Sequence, residues 1–81
     1  MTTNDCLEKI KYYLELQKER ELTQYEELDY DFADKLYSLH TITRMLVANG
    51  VKPSDVENHF IYKQRLKQCV DAKTKLDNYK E

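Results

Sequence analysis

The clearest interruption in this chain is the hexapeptide NGVKPS at residues 49–54, which contains the only glycine and the only proline among 81 residues. Gly50 can adopt the left-handed backbone conformation that ends a helix. Ser54 and Glu57 then have the spacing of a capping box, in which the serine hydroxyl accepts an amide hydrogen bond and the glutamate reaches back to the cap. We therefore predict a turn at residues 49–54 and a helix over about residues 55–79.

Apolar residues before this turn recur with the period of an α-helix, about 3.6 residues. The stripe is interrupted at Lys18, and helix breakers are otherwise absent from the sequence. This pattern predicts an all-α protein with a single helical domain over residues 1–81. The apolar positions of the stripe are Leu7, Ile10, Leu14, Leu22, Tyr25, Leu28, Phe32, Leu36, Leu39 and Leu46.

Two architectures fit the stripe. In the first, residues 4–49 form one helix and the chain is an antiparallel hairpin of long helices, whose overhanging first part needs a partner. In the second, Thr23 and Glu26 form another capping box, the helix breaks near residues 20–23, and the chain is a three-helix bundle. The segment 17–22 contains no turn residue and favours an unbroken helix, so the sequence leaves both architectures open.

The first part of the chain is apolar on more than one side. Leu16 and Met45 fall nearly opposite the core stripe at about 100° per residue. A helix that is apolar on several faces is usually buried on several faces. We therefore expect the chain to associate into a dimeric bundle, as a homodimer.

Charge is distributed unevenly, although the net charge is only -2. Residues 19–34 contain seven acidic residues against the single base Arg20, whereas residues 63–80 contain six basic residues against two acidic ones. In an antiparallel hairpin the acidic residues 26–34 lie beside the basic residues from about 70 to 80, and the two complement each other. The near-neutral total does not indicate a typical nucleic-acid-binding domain, which is usually strongly basic.

No set of residues indicates catalysis or cofactor binding. A single glycine cannot supply the glycine-rich loops that hold nucleotides. His40 and His59 could approach each other across a hairpin, but a structural zinc site usually needs four ligands, and neither Cys6 nor Cys69 has a ligand spacing. We therefore predict a protein that is not an enzyme and that holds neither a metal nor a cofactor, with both thiols reduced.

The sequence also bears on location. It lacks an apolar run of about 18 residues that could span a membrane, and residues 1–5 lack the features of a signal peptide. We therefore expect a cytoplasmic protein without membrane contact. The high content of Lys, Asn, Tyr, Glu and Asp in so small a chain is similar to that of accessory proteins of AT-rich bacteria and their phages, an association of composition alone.

The seven tyrosines are the most unusual feature of the composition. Tyrosine is enriched at binding hot spots because it offers a large rigid surface with a polar tip. Two tyrosines fall on a flank of the predicted core stripe, next to the acidic stretch, whose carboxylates could mimic a phosphate backbone. The hypothesis is a small non-enzymatic helical interaction protein that regulates or inhibits a protein partner, with a nucleic-acid enzyme as one partner class. Its candidate partner-binding residues are Tyr30, Tyr37, Glu26, Glu27, Asp31 and Asp34.

The alternative is a small DNA- or RNA-binding regulator that uses the basic last helix. Its candidate phosphate contacts are Lys63, Arg65, Lys67, Lys73 and Lys75. The same helix has to cover the core with another face, for which we predict Val56, Phe60, Leu66, Val70 and Leu76. Nucleic acid ranks below a protein partner because the acidic stretch would repel a polyanion.

Overall fold

The computed structural model describes residues 2–79 and is all-helical over that range, as predicted. Three α-helices pack together, and a short 3₁₀ helix follows the second of them. Lys80, which belongs to the predicted basic stretch, lies outside the described residues. The helices are α1 (Thr3–Gln17), α2 (Gln24–Ala48), the 3₁₀ helix (Pro53–Asn58) and α3 (Phe60–Asp77).

The break between α1 and α2 decides between the two predicted architectures in favour of three helices. The Thr23 hydroxyl accepts a hydrogen bond of 3.2 Å from the backbone N–H of Glu26, and the Glu26 carboxylate accepts one of 2.9 Å from the N–H of Thr23. The Arg20 guanidinium donates two hydrogen bonds, of 2.7 and 2.9 Å, to the same carboxylate. This capping box, reinforced by an ion pair, starts α2 despite the helix-favouring residues that precede it, and the continuous helix over residues 4–49 is wrong.

Helix α1 lies antiparallel against α2. Near its start, Thr3 shares a hydrogen bond of 3.0 Å with the Nδ1 atom of His40, in the second half of α2. Near its end, the Tyr13 hydroxyl donates to Asp29, in the first half of α2. Helix α1 therefore packs within the chain, although Leu14 of the predicted core stripe stays 45% exposed.

Helix α3 also lies antiparallel to α2, and the turn between them forms as predicted. Gly50 has a φ of 96°, the left-handed conformation that favours glycine. The N–H of Gly50 donates to the carbonyl of Val47 and the N–H of Val51 to that of Leu46, at 3.1 and 3.0 Å, which is the Schellman pattern of a helix end.

The start of α3 differs from the prediction of a helix from about residue 55. Residues Pro53–Asn58 form a 3₁₀ helix, and α3 begins only at Phe60. Pro53 occupies the first turn of the 3₁₀ helix, where its fixed φ and missing N–H are tolerated, so Ser54 lies inside that helix and not at a cap. His59 caps α3 instead, because its Nδ1 atom accepts a hydrogen bond of 3.2 Å from the N–H of Ile61.

The buried face of α3 also differs from the prediction. Val56 is buried as expected, but Cys69 and Ala72 are the buried residues of α3 itself. Leu76 is half-buried on the same face, whereas the other three residues predicted for it are exposed. Those exposed residues are Phe60 (73%), Leu66 (38%) and Val70 (52%).

Helix α2 is central, because both α1 and α3 pack on it. Within residues 2–79, no Cα atom of α1 lies within 8 Å of one of α3. Cys6 and Cys69 are both buried, one on each outer helix, and their separation exceeds the Cα distance that a disulfide allows, about 7 Å. Both thiols are free, as predicted, and burial raises the pKa of each.

Candidate functional site

One side of α2 is largely open, since α1 touches only its edge, through Tyr13 against Tyr30 and through Thr3 against Arg44. An α-helix rotates by about 100° per residue, so residues spaced alternately by three and four positions lie on one side of it. On α2 such a set covers an arc of about 100° of the helix circumference. The buried residues of α2, which include Asp29, Ala33 and Leu39, lie outside the arc. We call this surface the α2 outer face, and its residues are Glu27, Tyr30, Asp34, Tyr37, Thr41 and Arg44.

The α2 outer face brings together four of the six predicted partner-binding residues. Glu27 and Asp34 are exposed, and Tyr30 and Tyr37 are half-buried, with part of each ring open to solvent. Asp31 lies at the edge of the arc, where its carboxylate is 3.3 Å from the Nζ atom of Lys35. Exposed pairs of this kind contribute little to stability, so the carboxylates remain free to bind.

Glu26 is not part of this surface, although the sequence suggested it. Its carboxylate oxygens are taken by Arg20 and by the N–H of Thr23, and its side chain is only 16% exposed. The hydrogen bonds from Arg20, and then those from Thr23, lower the pKa of Glu26 to about 2. Glu26 therefore serves the start of α2 and is unavailable to a partner.

The lowered pKa of Glu26 predicts a specific acid sensitivity. Its pKa in the unfolded chain is about 4.3, so its contribution to stability is complete above that value and is lost as the pH falls from about 4.5 toward 2. We expect the Glu26→Gln variant to lose this part of the acid dependence, measured by urea unfolding between about pH 6 and pH 2.5. Glu27→Gln removes a neighbouring carboxylate without such bonds and is the matched control. Equal acid dependence of Glu26→Gln and the unmodified chain would contradict the assignment.

A row of three tyrosines connects α1 with the α2 outer face. The rings of Tyr12 and Tyr13 meet edge to face with centroids 5.3 Å apart, and those of Tyr13 and Tyr30 do so at 6.1 Å. Tyr13 is buried, whereas Tyr12 is 61% exposed. Tyr13 thus packs against Tyr30, and the exposed Tyr12 extends the aromatic surface onto α1.

Asp29 holds this row in place, and no sequence motif marks it as different from the other acids. Its carboxylate accepts hydrogen bonds from the Tyr13 hydroxyl at 2.6 Å and from Lys9 Nζ at 3.1 Å. Burial, followed by the hydrogen bond to Asp29, raises the pKa of Tyr13, so its hydroxyl stays protonated and donates. The one available signal was position, because Asp29 lies one helical turn before the buried Ala33.

The two histidines serve separate elements and do not form a pair. His40 bonds Thr3 on α1, whereas His59 caps α3 and stacks on Phe60 with ring centroids 5.1 Å apart. Within residues 2–79, no three His, Cys, Asp or Glu side chains are grouped as metal ligands.

The predicted nucleic-acid-binding residues are dispersed on α3. Lys63 and Lys67 are exposed and have no ion-pair partner within the described residues, and Lys75 is exposed near the start of α2. Lys73 pairs with Asp77 at 3.0 Å. Arg65 is half-buried, and its Nε atom is buried without a hydrogen-bond partner, so much of this side chain faces the protein. Only Lys63 and Lys67 form a continuous basic surface, one helical turn apart.

Comparison with known proteins finds no match to this chain, whether among protein families, curated sequences or solved structures. Within residues 2–79, every helix is too short or too polar to cross a lipid bilayer. What the chain does is therefore inferred from its own surface residues.

Proposed function

We propose that this chain is a small non-enzymatic helical interaction protein that regulates or inhibits a protein partner by binding it along the α2 outer face. One observation carries the proposal: the central helix presents exposed carboxylates and half-buried tyrosines on a side that α1 touches only at its edge. Tyrosine adds contact area at a low cost in conformational entropy. The contact between Tyr13 and Tyr30 fixes part of this surface in advance, which lowers the cost of ordering it on binding.

The chemistry of the α2 outer face supports a partner with a basic surface. Glu27 and Asp34 lie two helical turns apart, about 10 Å along the axis, and offer carboxylate oxygens to Lys or Arg side chains. Between them, Tyr30 offers an aromatic ring with which apolar and cationic groups interact favourably. A basic cleft that normally holds nucleic-acid phosphates has this chemistry, and binding there would inhibit the enzyme by occupying its substrate site.

Affinity capture from a lysate of the source cells, with and without nuclease, tests this proposal. We expect the unmodified chain to retain a stoichiometric protein after nuclease treatment, and the Glu27→Gln/Asp34→Asn variant to retain at least about tenfold less, a loss of about 1.4 kcal/mol. Glu57→Gln/Asp71→Asn is the matched control, because it neutralises two exposed acids outside the α2 outer face. Equal capture by both variants would contradict the proposal.

A second candidate function is a DNA- or RNA-binding regulator. It is favoured by the exposed Lys63 and Lys67 together with Phe60, since cations and aromatic rings on one surface suit a single-stranded nucleic acid. In the same capture experiment, recovery of nucleic acid alone, with all protein signals lost on nuclease treatment, would support this function over the first.

A further inference from the structure

We infer that a second copy of this chain binds to the α2 outer face, with the two α2 helices antiparallel and Glu27 of each copy opposite Arg44 of the other. The inference rests on the proposed function, because it assigns an occupant to the same surface. It makes self-association and partner binding mutually exclusive.

The spacing of the α2 outer face fits a second helix along its whole length. Steps of three and four residues form the seam along which two helices stay in contact at a small crossing angle. From Glu27 to Arg44 this seam extends for about 26 Å at 1.5 Å per residue. Two antiparallel α2 helices can therefore stay in contact from Glu27 to Arg44, at both ends of the face and at its centre.

The register follows from the positions of the charges. Exposed carboxylates lie in the first half of the face, at Glu27 and at Asp34, which is 3.9 Å from Lys35 Nζ, and the cation of the face, Arg44, lies in the second half. An antiparallel copy therefore places unlike charges opposite each other at both ends, and two-fold symmetry forms each pair twice. A second copy places a cation opposite Glu27 and a carboxylate opposite Arg44 by symmetry alone. A different partner would have to carry the same two charges at the same spacing.

Both end residues have hydrogen-bonding capacity to spare. Glu27 has no ion-pair partner within residues 2–79. Arg44 donates one hydrogen bond of 3.0 Å to the Thr3 hydroxyl, which leaves most of its donors for a carboxylate.

The centre of the same register is also complementary. Asp34 of one copy faces Tyr37 of the other, so each Tyr37 hydroxyl can donate to a carboxylate, as Tyr13 donates to Asp29 within the chain. Met45, which is 45% exposed, lies within the same arc and is covered by the pairing. The interface thus combines ion pairs at its ends with tyrosine–carboxylate hydrogen bonds at its centre.

A charge swap within one chain tests the register. Sedimentation equilibrium over a concentration series would be measured for the unmodified chain, Glu27→Arg, Arg44→Glu and the double variant, with circular dichroism to verify folding. We expect the unmodified chain to form a reversible dimer, each single variant to raise the dimer Kd at least about tenfold because like charges then face each other, and the double variant to restore the Kd to within about threefold. Asp71→Arg is the control, since it reverses an exposed charge on α3, and its Kd should be unchanged.

Three results would overturn the inference: an unmodified chain that stays monomeric, single variants that dimerise normally, or a double variant no better than the single ones. The capture experiment keeps this failure separate from that of the proposed function. A monomeric chain that still captures a protein through Glu27 and Asp34 overturns the second copy alone. A swap-sensitive dimer that captures no protein overturns the proposed function and leaves the second copy in place.

Discussion

Replacing Asp29 with alanine is expected to lower the free energy of unfolding by about 2–3 kcal/mol, which makes the melting temperature roughly 10–20 °C lower. The substitution removes the acceptor for both the buried Tyr13 hydroxyl and Lys9 Nζ. The hydroxyl loses its hydrogen bond in a site with little access to water. Lys9 is less affected, because its side chain is 35% exposed and can be hydrated instead.

Thermal and urea unfolding of matched variants measure this effect. Asp34→Ala is the control, because it makes the same change on the same helix at an exposed position and should alter stability by at most about 0.5 kcal/mol. Asp29→Asn should fall between the two, since an amide oxygen still accepts from Tyr13 but no longer balances the charge of Lys9. If Asp29→Ala and Asp34→Ala were equally stable, the buried cluster would not hold α1 on α2.

Replacing Ala33 with leucine is expected to cost about 2 kcal/mol, because a larger side chain does not fit where the helices meet. Ala33 has no exposed surface and lies on the central helix, so the added atoms would force a neighbouring helix outward. Ala48→Leu is the matched control, since it makes the same change at an exposed end of α2. Urea unfolding that gave equal stabilities for the two variants would show that unfilled space surrounds Ala33.

The break before α2 could be predicted only as one of two alternatives. The capping box of Thr23 and Glu26 is visible in the sequence, but residues 17–22 favour helix as strongly as any other segment. The ion pair between Arg20 and Glu26 favours the break over the continuous helix. That ion pair forms only when the chain turns at the break, so the helix propensities of residues 17–22 do not predict it.

The buried face of α3 was predicted only in part, because hydrophobicity was taken as a measure of burial. Val56 is buried and Leu76 half-buried, whereas Phe60 and Val70 are exposed and the less apolar Ala72 is buried. Tyr25, which belongs to the predicted core stripe, is likewise 45% exposed, and its ring lies 5.7 Å from that of Tyr79.

The side of α2 that holds Tyr30 and Tyr37 could be predicted from the helical repeat alone. Their positions relative to Glu27 and Asp34 depend only on that repeat, so this grouping did not require knowing where α2 begins. Two errors remained, and both concern contacts between distant residues. Glu26 was counted as a partner contact although a cap occupies it, and Asp29 was counted as one surface acid among others although Tyr13 and Lys9 bury it.

The separate attachment of the two outer helices to α2 has a consequence for cooperativity. Because no Cα atom of α1 lies within 8 Å of one of α3 among residues 2–79, we expect α1 to be able to detach while α2 and α3 stay paired. Tyr30 packs on Tyr13 of α1, so this detachment would remove a contact that holds one tyrosine of the α2 outer face. Such local opening would remove recognition while most of the helical structure persists.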